Sequence, residues 1–253
     1  MSPEEVARWL RSRRPLARPR VRLLCLPYAG GGATIFHTWS DRLPADIEVR
    51  AAQLPGRQDR LAEPGLTSVS SILEQLNTAL AALPPAPLVI YGHSFGAILA
   101  LELARRLRAT SLAARALVVG ARRAPQLTSS AREMYQLPDL AFKQELHRRY
   151  GTSWTLLQDA ELMRLSLPSL RADFAALDTY RYVPGEPLDI PITVLRARQD
   201  ASMSAEEAAA WREQTSKLTT IHEVDAGHLF MDTQGPWVLS RVSAVISSLA
   251  EPT

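Results

Sequence analysis

Short apolar runs alternate along this chain with longer stretches in which apolar residues return every three or four positions. The runs at 21–26, 47–52, 88–91, 116–119, 192–195 and 220–224 are of strand length, and all but the last are apolar through most of their span. The stretches at 68–83, 97–107, 205–214 and 238–249 have helical spacing. Turns containing Gly or Pro separate them. Strands without polar alternation are buried on both faces, and strands that alternate with helices join as βαβ units. The pattern therefore predicts an α/β fold: a mostly parallel central sheet with helices on both faces.

The rhythm breaks once. About 70 residues separate the run ending at Val119 from the one opening at Ile192, far more than a crossover helix needs. The stretches 138–149, 159–167 and 169–177 have helical spacing, the first opening on Pro138 and Asp139 as a first helical turn favours. Pro125, Pro184, Gly185, Pro187 and Pro191 bracket them. The expectation is a single domain over 1–253 carrying a helical insertion at 123–187, either a lid over a site or an extra packing layer.

Composition narrows the functional classes. A chain of 253 residues with 46% hydrophobic and 22% charged residues suits one large globular domain. The single cysteine, Cys25, allows no intrachain disulfide and no cysteine-cluster zinc site, so the cytoplasm is the default compartment and no metal is called for. Lys143 and Lys217 are the only lysines among 29 basic residues, and the arginines that supply the rest are interleaved with 26 acidic residues. A net charge of +3 does not call for nucleic acid but allows an acidic protein partner. The basic stretch 11–22 follows Glu4 and Glu5 and has no apolar core of signal-peptide length. No run of 18 apolar residues suggests a membrane span. A monomer is the default oligomeric state.

The sharpest local signal is Gly92-His93-Ser94-Phe95-Gly96, placed directly after one strand pattern and before one helical pattern. G-x-S-x-G in that setting is a nucleophile elbow: a turn so tight that the flanking positions have no room for a Cβ, with the serine hydroxyl standing above the sheet. A serine needs a base, and the histidines are His37, His93, His147, His222 and His228. His228 follows the last strand pattern, at the end where parallel strands gather functional groups. His93 adjoins Ser94, and its side chain is expected to pack beside the nucleophile. The orienting acid belongs between serine and histidine in chain order, and Asp200, just past 192–195, fits that place; Asp189 and Asp225 are its rivals. The backbone N–H of Phe95 and that of Ala29, in the Gly-rich loop after 21–26, are the expected oxyanion-hole donors, with Gly30 as a helper. That loop lacks the spacing of a phosphate-binding loop.

With Ser94, Asp200 and His228 in this order, the sequence resembles the α/β-hydrolases. Further segments make it similar to the type II thioesterases of polyketide and nonribosomal peptide assembly lines. Those segments are Cys25 to Ala33, Leu54-Pro55-Gly56-Arg57 with Asp59-Arg60-Leu61, Leu167 to Phe174, Tyr180-Arg181-Tyr182, Trp211-Arg212 and Gly227-His228-Leu229-Phe230. One departure stands out: the family usually has Gly-x-x-Asp at the acid, where this chain has Ala197-Arg198-Gln199-Asp200. Whether Arg57, Asp59 and Arg60 serve structure or function is open at this stage. The resemblance implies an α/β-hydrolase fold with an inserted lid. It implies hydrolysis of acyl groups stalled on the phosphopantetheine arm of acyl or peptidyl carrier proteins, without cofactor or metal, through Ser94, His228 and Asp200. Arg122 and Arg123 are candidates to steer an acidic carrier. A stand-alone esterase or lipase, or an acyltransferase of the same fold, is the alternative.

Overall fold

In the computed structural model, which describes residues 1–127 and 133–249, the apolar runs form a seven-stranded sheet. Residues 128–132 of the expected insertion, and 250–253 of the expected domain, lie outside the described residues. The strands are β1 (Leu10–Arg11), β2 (Val21–Leu26), β3 (Ile47–Ala52), β4 (Leu88–His93), β5 (Ala114–Gly120), β6 (Ile192–Ala197) and β7 (Thr219–Val224), in spatial order β1-β3-β2-β4-β5-β6-β7. All pairings are parallel except that of β1 with β3. The fold class expected from the sequence is thus the observed one. The antiparallel edge strand β1 has no signature in the apolar pattern, because two residues pairing only as Leu10↔Ala52 and Arg11↔Ala51 are too few to show a period.

The helices are α1 (Pro3–Trp9), α2 (Trp39–Arg42), α3 (Val69–Ala81), α4 (Phe95–Leu107), α5 (Asp139–Tyr150), α6 (Trp154–Gln158), α7 (Ala160–Thr179), α8 (Ala205–Ala209), α9 (Phe230–Thr233) and α10 (Gly235–Ser248). Alternate strand residues sort into two apolar layers. Leu24, Leu26, Ile90, Leu117 and Val119 pack with α3 and α4, while Leu23, Cys25, Val89, Tyr91, Ala116 and Val118 pack with α10 and the Phe36–Trp39 corner. Strands that face an apolar layer on both sides have no place for polar alternation, which is why their runs are continuous.

Between β5 and β6 lie α5, α6 and α7. The two helical stretches expected at 159–167 and 169–177 are one continuous helix, α7, with Pro168 inside it. Pro168 lacks the N–H that would bond back to Arg164. The turns beyond it nevertheless bury Ser169, Ala172, Asp173, Phe174, Ala175, Ala176 and Leu177, and that burial carries the helix through a single missing bond. The stretch expected as one helix at 205–214 begins as α8 and tightens into a 3₁₀ turn, Ala210–Gln214. Among the described residues, no helix is long and apolar enough to cross a membrane.

The sharp corner from β4 into α4 is held by contact distances. A Cβ on Gly92 would lie 2.1 Å from the Gly96 carbonyl oxygen, and one on Gly96 would lie 2.1 Å from the Leu26 carbonyl oxygen. Both obstacles are backbone. We expect Gly96→Ala to cost at least about 3 kcal/mol of unfolding free energy. Gly185→Ala, whose Cβ would meet nothing within 4 Å, should change stability by no more than about 0.5 kcal/mol. Urea unfolding of the two variants checks both values.

Candidate active site

Ser94 sits at the corner with φ 54° and ψ −108°, a backbone conformation that costs a side-chain-bearing residue about 1–3 kcal/mol. Its N–H donates to the Gly120 carbonyl at 2.8 Å, and its carbonyl accepts from Ala97 N–H at 3.0 Å. These bonds hold the corner from β5 and from α4. Buried though the residue is, its Oγ reaches the floor of a cavity of about 400 Å³.

The loop after β7 brings His228 to Ser94, with Nε2 2.9 Å from Oγ. Its other ring nitrogen, Nδ1, lies 2.8 Å from Asp200 Oδ2. A carboxylate oxygen only accepts, so Nδ1 carries the proton and Nε2 is free to accept the Ser94 hydroxyl. Asp200 follows β6, and its other oxygen accepts from Ser202 Oγ at 2.7 Å and Ser202 N–H at 2.8 Å. Burial works to raise the Asp200 carboxyl, but the hydrogen bonds from His228 and Ser202 more than offset it and hold its pKa below the usual carboxylate range. Ser94, His228 and Asp200 thus form one hydrogen-bonded chain. The rival acids are elsewhere: Asp225 accepts from Gln199 Nε2 at 2.9 Å, and exposed Asp189 pairs with Lys217 at 3.0 Å.

His93 is fully buried beneath this chain. Its Nε2 donates to the His228 carbonyl at 2.9 Å, and its Nδ1 is 3.2 Å from the Tyr91 hydroxyl. Burial, with the nearby His228 ring, pushes its pKa down to about 3, so the imidazole is neutral and acts as a brace for the His228 backbone. Tyr150, at the end of α5, packs its ring 4.7 Å from that of His228.

Phe95 opens α4, where first-turn N–H groups have no partner within the helix. Ala29 lines the same cavity as Ser94. Gly30 is not available as a helper, because its N–H donates to Asp173 Oδ2 at 2.7 Å. The amides of Gly31 and Ala33 are likewise engaged, by the Tyr28 carbonyl at 2.9 Å and by Gln53 Oε1 at 2.7 Å. The cavity wall is apolar and comes from the insertion: Leu146 of α5, Leu157 of α6, and Met163, Leu170, Phe174 and Leu177 of α7. A second cavity of about 630 Å³ shares Tyr150 and Leu177 with the first and is lined by Arg122, Arg123, Arg149 and Arg181. Among the described residues, no cluster of His, Cys, Asp or Glu could hold a metal ion.

The sequence alone leaves Arg57, Asp59 and Arg60 undecided. Arg57 and Arg60 are buried and Asp59 is exposed. Ser204 caps α8, while Ser202 braces Asp200. The signal that could have found Ser202 is its place two residues after the acid, where a hydroxyl bonds back locally.

The thioesterase-domain family model matches residues 21–246. The gramicidin S biosynthesis protein GrsT of Aneurinibacillus migulanus is 39% identical over 90% of this chain and 89% of its own length. The thioesterase PikA5 of Streptomyces venezuelae is 38% identical over 93% of this chain and 84% of its own. Among solved structures, the type II thioesterase BorB from the borrelidin biosynthetic cluster superposes with a TM-score of 0.86 at 36% identity, covering 94% of this chain and 97% of that one. The strand order, the strained serine corner and these matches agree, and the chain belongs to the thioesterase-domain family as a type II thioesterase, an α/β-hydrolase-fold enzyme that hydrolyses thioesters.

Proposed function

We propose that this enzyme clears stalled or aberrant acyl groups from the phosphopantetheine arm of acyl or peptidyl carrier proteins, with Ser94 as nucleophile, His228 as general base and acid, and Asp200 as the orienting acid. The observation that carries the reading is the unbroken hydrogen-bond chain Ser94–His228–Asp200 at the floor of an apolar cavity. His228 Nε2 takes the hydroxyl proton as Ser94 Oγ adds to the thioester carbonyl, and the oxyanion is held by the N–H groups of Phe95 and Ala29. The C–S bond breaks and the sulfur leaves with the proton from Nε2. Water then adds to the acyl-enzyme, giving its proton to the same nitrogen, and the acid departs as Ser94 is restored. Asp200 keeps the proton on Nδ1 throughout and stabilises the imidazolium. The steps use no cofactor. In this reading residues 123–187 act as a lid whose apolar face receives the acyl chain, and the enzyme works as a monomer in the cytoplasm.

Intact-mass monitoring of a panel of acyl-loaded carrier proteins tests reaction class and chain preference together. Wild-type enzyme should return each accepted carrier to its free-thiol mass with release of the acid. Ser94→Ala should slow this by about 10³-fold or more and abolish labelling by a fluorophosphonate. Unchanged labelling would contradict the assignment of Ser94. Transfer to an alcohol or amine in place of water would show an acyltransferase instead.

The arginine-lined cavity supports docking of an acidic carrier. Charges at the rim of an interface chiefly set encounter rate and salt dependence. We expect Arg122→Glu with Arg123→Glu to raise KM for an acyl-carrier roughly tenfold and flatten its salt dependence, with little effect on a small acyl thioester. Steady-state kinetics at two ionic strengths checks this, and turnover indifferent to both salt and the substitutions would contradict it.

A further inference from the structure

A buried ion pair lies directly behind the loop that carries Ala29. Asp173, on α7, is 1% exposed, and Arg57, in the loop after β3, is 4% exposed. Their contact is bidentate, with Arg57 Nη1 2.6 Å from Asp173 Oδ2 and Nη2 2.8 Å from Oδ1. Arg57 also donates to the Gly31 carbonyl at 3.1 Å and the Pro55 carbonyl at 3.2 Å. The same Asp173 Oδ2 accepts the Gly30 N–H at 2.7 Å.

The consequence follows from peptide planarity. The Gly30 N–H lies in the peptide plane that follows Ala29, so the Asp173 carboxylate fixes that plane. The Ala29 N–H lies in the preceding plane, whose Tyr28 carbonyl accepts from Gly31 N–H at 2.9 Å. Both planes flanking Ala29 are pinned, one by a turn within the loop and one by a helix of the insertion. Gly30 has φ 77°, and Leu170 of α7 packs where a Cβ would stand. We infer that Asp173, held in place by Arg57, is a positioning residue that aims the Ala29 amide at the reacting carbonyl oxygen. This rests on the proposed role of Ala29 as an oxyanion donor. It makes α7 part of the apparatus that stabilises the transition state, as well as a wall of the acyl cavity.

Removing one partner leaves a buried charge unpaired, so the informative variants remove both charges. Arg57→Met with Asp173→Leu is close in shape and leaves the Gly30 N–H without an acceptor. Arg57→Met with Asp173→Asn restores an acceptor oxygen without the charge, alongside a side-chain NH2. On an acyl-N-acetylcysteamine thioester, the Leu pair should lose at least about tenfold in kcat with KM within about threefold, since an oxyanion donor is worth about 10²–10³ in kcat. Its affinity for an alkyl trifluoromethyl ketone, whose adduct carries the oxyanion, should fall by the same factor. The Asn pair should recover most of both. Thermal unfolding should show both pairs folded at the assay temperature. Should the double variants not fold, Arg57→Lys, which keeps a cation beside the carboxylate but cannot make the bidentate contact, should lower kcat and the affinity for the ketone by one common factor, with KM within about threefold. Wild-type kcat and inhibitor affinity in the Leu pair, equal losses in the Leu and Asn pairs, or, in Arg57→Lys, either wild-type kcat or a kcat loss without the matching loss of inhibitor affinity, would each overturn the inference. Ser94→Ala on the same thioester tests the underlying reading separately, so that failure of the one is not mistaken for failure of the other.

Discussion

The structure depends on one strained residue. Ser94 holds φ at 54°, and the corner around it persists only because neighbouring backbone leaves it no alternative. Gly92 and Gly96 lie so close to other main-chain atoms that neither has room for a Cβ, and β5 takes the Ser94 N–H through Gly120. The strain costs about 1–3 kcal/mol. It is offset by the packing of β4 and α4, buried along nearly their whole lengths. What it secures is direction: Ser94 lines the cavity, and Phe95, whose N–H has no partner within α4, opens the helix directly after it.

Every other part of the site is placed by an element that converges on that corner. The carboxyl end of β7 delivers His228 and that of β6 delivers Asp200, as parallel strands gather functional groups at one edge. His93 braces the His228 carbonyl from below, and its neutrality matters, because an imidazolium there would face the ring of His228 across 5.9 Å. The Arg57–Asp173 pair joins the loop after β3, the Ala29 loop and α7 into one block. Since a buried ion pair is costly to break, this pair ties α7 to the loops at the edge of the sheet.

Much of this was legible in the sequence, and the parts that were not share a physical cause. Apolar runs buried on both faces reported five strands, the edge strand β7 being partly exposed, and the elbow motif reported Ser94, because both are local. Asp200 could be ranked above Asp189 and Asp225 by its place just past a strand pattern, but their separation is a long-range fact: one pairs with Lys217 and another with Gln199. Arg22 and Glu48 read as polar interruptions in strand patterns, yet they are a buried pair at 2.6 Å, shared with Arg50. Of the basic stretch 11–22, Arg11, Arg13, Arg20 and Arg22 are met by Asp59, Asp41, Asp46 and Glu48 from distant segments. Pro168 reads as a helix end, because the burial that carries α7 past it depends on partners far away in sequence. Arg57 and Asp173 stand 116 residues apart, and no local pattern announces that they meet.

The central claim is that Ser94 receives the acyl group from a carrier-bound thioester. The direct measurement is peptide mapping of the enzyme after rapid mixing with an acyl-loaded carrier protein and acid quench. The account predicts an acyl mass on the peptide containing Ser94, appearing as the carrier loses the same mass and decaying as free acid forms. Loss of the acyl group from the carrier with no adduct at Ser94 at any quench time, or with an adduct on another residue, would contradict it.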